Sequence, residues 1–161
     1  MRSENRYPDQ EKCKEDAQKL FKKGRKKKIE WTDNTNFQKI FATRSNEELR
    51  CIMEYLEELS GKSITNAIES EFRGNAKKTM VSMMNAILDT PGYFASRINS
   101  AFKKLHTNKK IIMRVVISRD EIDLAGIKLA YQKRYKKHLE DEIAKHTHGD
   151  YSDLLLELIK H

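Results

Sequence analysis

The stretch IIMRVVISRDEIDL, residues 111–124, contains a sequence pattern that recurs in the chain and decides its fold. Residues 111–117 are apolar except for Arg114. A run that is apolar on every side belongs at the centre of a core, although a β-branched run of this length could also be a buried strand. Ser118 and Glu121 then give the Ser-x-x-Glu pattern of a capping box, which starts helices. The stretch therefore predicts a short buried element, a sharp corner, and a helix that begins just after Ser118.

The same pattern occurs earlier in the chain, in FQKIFATRSNEELRCI at residues 37–52, where Ser45 and Glu48 give a second capping box. Seven identical residues lie 75 positions apart without a gap. The pairs are Thr32 and Thr107, Arg44 and Arg119, Leu49 and Leu124, Ile52 and Ile127, Lys62 and Lys137, Ile68 and Ile143, and Gly74 and Gly149. Matches at one fixed offset indicate an internal repeat the size of a small module.

The apolar residues of each repeat follow a helical period. They predict an all-α fold of two tandem five-helix modules, each packed around its second helix. We assign residues 1–11 to an N-terminal linker, 12–90 to the first module and 91–161 to the second. In the first module, Gly61 should close the third helix and Pro91 should mark the break after the fifth. No long stretch alternates with period two, so no appreciable sheet is expected.

The net charge of +8 is concentrated at one end, since residues 1–28 carry 11 Lys/Arg and 5 Asp/Glu. Such a segment suits an anionic partner, either nucleic acid or an acidic membrane surface. No apolar stretch approaches the length that spans a bilayer, and the polar N-terminus shows no signal peptide. Cys13 and Cys51 have neither metal-like nor redox spacing, so we expect two reduced thiols in a cytoplasmic protein.

Motifs for catalysis are missing from the sequence. It has no Gly-rich phosphate loop, no zinc-finger spacing and no nucleophile elbow, and its carboxylates are scattered over helix faces. We therefore predict a binding protein that is not an enzyme.

Six stretches together resemble two consecutive annexin repeats, most like the third and fourth of the usual four. They are EDAQKLF (15–21), FATRSNEELR (41–50), IESEFRGN (68–75), YFASRINSAFK (93–103), RVVISRDEIDL (114–124) and THGDYSDLLLELI (147–159). The resemblance implies five helices per repeat and binding of acidic phospholipid through calcium. It also implies a calcium loop of the form Gly-x-Gly-Thr, with an acidic residue 39 positions after the threonine.

Both modules depart from that loop. In the first, Thr32 and Glu71 fit the pattern, but Ile29 and Trp31 stand where the small residues belong. Calcium takes about six to eight oxygens, and backbone carbonyls converge on it most easily where glycine lets the chain turn. We therefore predict a weakened calcium site at Ile29, Trp31, Thr32 and Glu71.

The second module departs further from the calcium pattern. Lys104 and His106 precede Thr107, and His146 replaces the acid. Because a lysine and two histidines suit a hard dication poorly, we predict a degenerate second site that holds no calcium. We expect His106 and His146 to approach each other.

Positive charge offers another route to the membrane. We predict membrane contacts by Lys26, Lys27, Lys28, Trp31 and Lys104, with the indole of Trp31 either inserted at the bilayer interface or folded against the first helix. The protein would then be cytoplasmic and peripherally attached to acidic membranes.

Two alternatives use the same features. One is a basic helical module that binds nucleic acid, which the isolated Trp31 disfavours because stacking needs interleaved aromatic residues. The other is a structural or assembly half of a larger annexin, which would pair with itself or with partner repeats. Arg44 and Arg119, at matching corners, should bond corner carbonyls or nearby acids such as Glu47 and Asp123.

Overall fold

The computed structural model of this chain describes residues 7–22, 28–31, 35–103 and 106–160. The chain divides into two compact units, Met1–Leu88 (unit 1) and Asp89–His161 (unit 2). Ten α-helices form within the described residues, five in each unit. The prediction of an all-α fold of two five-helix repeats is therefore confirmed.

Unit 1 contains five helices and one very short antiparallel ladder. The elements are α1 (Gln10–Leu20), β1 (Phe21–Lys22), β2 (Lys28–Ile29), α2 (Thr35–Thr43), α3 (Asn46–Ser60), α4 (Ile64–Glu71) and α5 (Gly74–Leu88). The first helix begins inside the segment that we assigned to a linker, because Asp9 caps it by accepting a hydrogen bond from the backbone N–H of Lys12. The two-residue ladder was not predicted, since period-two alternation cannot show in so short a strand.

The core of unit 1 is formed chiefly between α1 and α3, the helices that pack most extensively there. Fully buried side chains come from both helices: Cys13, Ala17 and Leu20 from α1, and Leu49, Ile52, Met53 and Leu56 from α3. In the second helix, α2, Ile40 is the one buried residue. Our expectation that the second helix is the centre of the module is therefore wrong for unit 1.

Unit 2 repeats the five helices as α6 (Thr90–Phe102), α7 (Lys109–Arg119), α8 (Leu124–Tyr135), α9 (Leu139–His146) and α10 (Asp150–Ile159). The fourth helices of the two units, α4 and α9, begin and end 75 positions apart, as the repeat requires. Here too the first and third helices, α6 and α8, form the most extensive packing. As predicted, Pro91 marks the break after α5, which ends at Leu88. It stands in the first turn of α6, because proline suits a position whose N–H needs no partner.

The central run of α7 is less buried than its composition suggests. Ile112, Val115 and Val116 are buried, but the side chain of Ile117 is 55% exposed. The prediction of a run buried on every side is therefore wrong, since one stripe of α7 faces outward.

The two predicted capping boxes have different outcomes. Ser45 accepts a hydrogen bond from the N–H of Glu48 at 3.1 Å, and the carboxylate of Glu48 accepts one from the N–H of Ser45 at 2.8 Å. Ser118 instead lies within α7, and α8 begins only at Leu124. The second box is therefore wrong. The repeat places Ser118 opposite Thr43, the last residue of α2, and so at the end of a helix and not at the start of one.

Candidate functional site

The loop after α1 folds back on itself in unit 1. Phe21 pairs with Ile29 and Lys22 with Lys28 in the antiparallel ladder, and the N–H of Glu30 donates to the carbonyl of Leu20 at 2.8 Å. Because side chains alternate along the returning segment, Ile29 and Trp31 share one side. Both are buried, at 4% and 3% exposure. The bulky residues at the positions of the family's small residues therefore join the core of unit 1.

The indole of Trp31 lies between two phenylalanines. Its ring centroid is 6.0 Å from that of Phe37 and 6.4 Å from that of Phe72, with both pairs edge to face. Phe72 caps the C-terminal end of α4 and directly follows Glu71. The structure therefore places Trp31 beside the end of the helix that carries Glu71. The pairing of Thr32 with Glu71 stays a prediction, because Thr32 lies outside the described residues.

This burial argues against the first alternative for Trp31, insertion into a bilayer. A ring that is 3% exposed and packed against Phe37 and Phe72 has little surface left for lipid. It also has no open face on which a base could stack, which further weakens the nucleic-acid alternative. The physical reason is that the ladder turns Trp31 toward the apolar interior of the unit.

The candidate cation site of unit 1 has one carboxylate in its described part. Glu71 is exposed at the end of α4, while Thr32 lies outside the described residues. Within residues 7–22, 28–31, 35–103 and 106–160, no three His, Cys, Asp or Glu side chains form a metal-binding group. Any calcium here would thus depend on Glu71 together with backbone carbonyls, the hard oxygen donors that suit this ion.

The corresponding position of unit 2 has a different chemistry. The ring of His146 stacks on Phe102 with 5.0 Å between centroids, and its Nε2 lies 3.7 Å from a carboxylate oxygen of Glu142. Glu142 is 8% exposed and accepts a hydrogen bond from the ammonium of Lys137 at 2.9 Å. Its carboxylate, one helical turn before the acid position, is therefore already matched to a cation. This donor set does not fit calcium.

The other residues of the predicted second site lie in the preceding loop. His106 is exposed and Thr107 is half-buried, while Lys104 lies outside the described residues. The ring of His146 contacts Phe102 and Glu142. The expected approach of His106 to His146 stays a prediction.

Most of the predicted membrane-binding lysines lie outside the described residues. Lys26 and Lys27, like Lys104 of unit 2, lie outside the described residues, and of Lys28 the backbone alone is described. The nearest described cation, Lys22, is exposed, and its ammonium lies 3.4 Å from the carboxylate of Glu30. The contribution of this basic segment to binding stays a prediction.

The corner arginine of unit 1 has a partner that the sequence did not reveal. Arg44 donates to the carboxylate of Asp16 at 2.7 Å, and Asp16 is 2% exposed. Burial raises the pKa of Asp16, but hydrogen bonds from Lys19 and Arg44 outweigh that effect and leave the pKa below its ordinary value. Glu47, which we expected to serve Arg44, instead lies 3.9 Å from Arg50.

The corner arginine of unit 2 follows the prediction. Arg119 makes two parallel hydrogen bonds of 2.7 Å to Asp123, and its guanidinium lies 4.9 Å from the ring centroid of Phe94. Both corners thus use a structural arginine, held by a distant acid in unit 1 and by a local acid in unit 2.

None of the helices in the described residues is both long enough and apolar enough to cross a membrane.

Comparison with known proteins gives a consistent answer. The annexin family model matches residues 15–83 and 93–158. The chain is 33% identical to mouse annexin A13 over 159 residues, which cover 98% of this chain and 49% of that protein. It is 37% identical to human annexin A8 over 145 residues, which cover 90% of this chain and 44% of that protein. The chain thus spans about half the length of the relatives it matches.

Solved structures agree with this result. Annexin III aligns with a TM-score of 0.81 at 30% identity, over 99% of this chain and 49% of that one. Calcium-bound annexin (Sm)1 aligns with a TM-score of 0.77 at 27% identity, over 95% of this chain and 41% of that one. The family model covers both repeats, and the five-helix order recurs in both units. The chain therefore belongs to the annexin family.

Proposed function

We propose that this chain is a peripheral membrane-binding protein of the annexin type that attaches to acidic phospholipid through unit 1. Calcium would be held at the end of α4 by Glu71 and by carbonyls of the preceding loop, and unit 2 would bind without calcium. Bound there, calcium would supply the positive charge that attracts a lipid phosphate. The proposal is one of binding and includes no reaction.

The observation that carries the proposal is the packing of Trp31 on Phe72. Since Phe72 directly follows Glu71, this contact supports the proposal by bringing Trp31 beside the end of the helix that carries Glu71. Annexin (Sm)1, which is similar to this chain in fold and sequence, has a calcium-bound structure, and this also supports the proposal. By contrast, His146 and the paired Glu142 offer unit 2 no comparable donor set.

Calcium titration by calorimetry, with Glu71→Gln as the test variant, is the decisive experiment. The substitution removes the charge and one strong ligand while it keeps the shape of the side chain. We expect calcium affinity, and calcium-dependent sedimentation with phosphatidylserine vesicles, to fall at least tenfold.

The matched control is Glu69→Gln, which makes the same change on the same helix. The carboxylate of Glu69 lies 3.1 Å from the ammonium of Lys77, so it already has a cationic partner. If both variants bind calcium as the unchanged protein does, the assignment of the site to Glu71 is wrong.

The basic segment supplies a second, calcium-independent contribution in this proposal. Lys22, Lys23 and residues 25–28 are six cations, and each adds at most about 1 kcal/mol near an anionic bilayer. Their sum corresponds to a dissociation constant of roughly tens of micromolar. Vesicle binding in the presence of chelator should therefore persist at low salt and disappear at high salt. If vesicle binding in the presence of chelator is the same at low and high salt, this contribution is refuted.

We infer further that unit 2 has a protein partner, either a second copy or further repeats. Large apolar side chains stand more than half exposed there at Ile117, Ile122 and Leu129. The chain also spans about half the length of its relatives. Light scattering at tens of micromolar should give a mass above that of the monomer. A monomer at that concentration would exclude self-association.

A further inference from the structure

Cys13 and Cys51 are 38 positions apart in the sequence, but they lie on the two helices that form the core of unit 1. Cys13, on α1, is 2% exposed, and its sulfur lies 3.7 Å from the backbone carbonyl oxygen of Glu48 on α3. Cys51 is half-buried on α3. The residue that the Cys13 sulfur contacts is therefore less than one helical turn before the second cysteine.

Helix geometry allows the sulfur of Cys51 to reach the same carbonyl. A short polar side chain on a helix can reach the carbonyl three or four residues before it. Ser60 does so with the carbonyl of Glu57 at 3.4 Å, and Ser70 with that of Ala67 at 2.8 Å. Cys51 stands three residues after Glu48. The side chain of Cys51 can therefore reach the carbonyl that the Cys13 sulfur contacts, and it packs against the same hydrophobic cluster as Cys13.

The electrostatics of Cys13 agree with this placement. Burial raises the pKa of its thiol to about 12, and the nearby Cys51 adds to that shift. The Cys13 thiol is thus protonated at neutral pH, and Cys51 is the more accessible of the two.

We propose that Cys13 and Cys51 are a modification site at which a hydroperoxide forms a reversible disulfide between α1 and α3. The thiolate of Cys51 attacks one peroxide oxygen, the O–O bond breaks, and the released hydroxide takes a proton to become water. The sulfur of Cys13 then attacks the sulfur of Cys51 sulfenic acid while its proton passes to the leaving oxygen. The S–O bond breaks, and the hydroxide leaves with that proton as water. Two thiols lose two electrons in total, and hydrogen peroxide gains them.

The disulfide would fix α1 to α3 where the core of unit 1 is formed. Because α1 leads directly through Leu20 and Phe21 into the ladder before Trp31, the cross-link would also stiffen the start of the candidate membrane loop. The inference does not depend on lipid or calcium binding. Its chemistry can be tested on the protein alone.

The experiment treats the full chain with hydrogen peroxide under native conditions and follows free thiols, intact mass and a non-reducing peptide map. We expect both thiols to disappear together, the mass to fall by two hydrogens, and a peptide pair containing Cys13 and Cys51 to appear. Dithiothreitol should restore both thiols. The oxidised protein should melt at a higher temperature, because the cross-link restricts the unfolded chain.

Cys51→Ser is the matched control, since it keeps Cys13 in place and removes the thiol that attacks the peroxide. That variant should keep the Cys13 thiol free under the same treatment, because the remaining thiol is buried. The peptide map of the unchanged protein needs no variant, so the test survives if a variant folds poorly. Over-oxidised single cysteines, or disulfides only between molecules, would overturn the proposal.

Discussion

The burial of Trp31 makes a prediction that separates two modes of membrane attachment. The chain has one tryptophan, so its fluorescence reports on this site alone. The ring is 3% exposed and packs edge to face on Phe37 and Phe72. Truncating a buried tryptophan to alanine costs about 3–5 kcal/mol. Each of the two aromatic contacts contributes about 0.5–1.5 kcal/mol of that loss.

Trp31→Ala should therefore weaken unit 1 severely, because a small domain has a total stability of about 5–15 kcal/mol. Trp31→Phe keeps an aromatic ring in the same place and should lose less. Urea unfolding, monitored by circular dichroism, measures both losses. If Trp31→Ala changes the free energy of unfolding by less than about 1 kcal/mol, the ring does not contribute to the core as described.

Fluorescence then tests the membrane-bound state directly. Since the ring is enclosed by protein, its emission maximum should not move when the chain binds phosphatidylserine vesicles. Brominated lipids should also fail to quench it, while sedimentation confirms that the protein is bound. Strong quenching by lipid on bound vesicles would show that the indole leaves its pocket and inserts, which would refute our reasoning.

Three further predictions concern the scaffold around the site. Asp16→Asn should lower the free energy of unfolding by about 1.5–3 kcal/mol at pH 7, since the carboxylate of Asp16 accepts a hydrogen bond from the charged Arg44. Because the folded-state pKa of Asp16 is below 3.8, its contribution is present above pH 3.8 and is lost as the pH falls through the folded value. The deficit of the variant, measured by urea unfolding, should therefore shrink below pH 3.8. Ser45→Ala should lower the free energy of unfolding by about 1 kcal/mol, because it removes a helix cap. Ser118→Ala, which removes no cap, should change the free energy of unfolding by at most about 0.5 kcal/mol. Equal losses in the two variants would contradict the assignment of these two corners. Gly61→Ala should lower the melting temperature through its φ of 68° alone, because an added Cβ meets nothing within 4 Å; an unchanged melting temperature would argue against that backbone conformation.

Local patterns in the sequence predicted the helices and the repeat well. The Ser45 box, the close of α3 at Gly61 and the 75-residue match of α4 with α9 depend on residues a few positions apart. The Ser118 box failed because a motif of two residues also occurs by chance. The fixed offset was the better guide there, since it pairs Ser118 with Thr43.

The site was predictable only where residue identity decides its chemistry. His146 at the acid position already argued against calcium in unit 2, and the stacked ring and the paired Glu142 agree with that argument. The burial of Trp31 was not predictable, because it depends on Phe72, 41 positions later in the chain. The same holds for Asp16 beneath Arg44, which are 28 positions apart.

The sequence by itself determined the duplicated helical module, its family and the loss of acidic ligands from the second repeat, because each depends on residue identity at short or fixed spacing. Tertiary structure alone decided which side chains face inward. It buried Trp31, gave Arg44 its acid and placed Cys13 against the helix of Cys51, because these contacts arise only when α1, α3 and α4 close on one core.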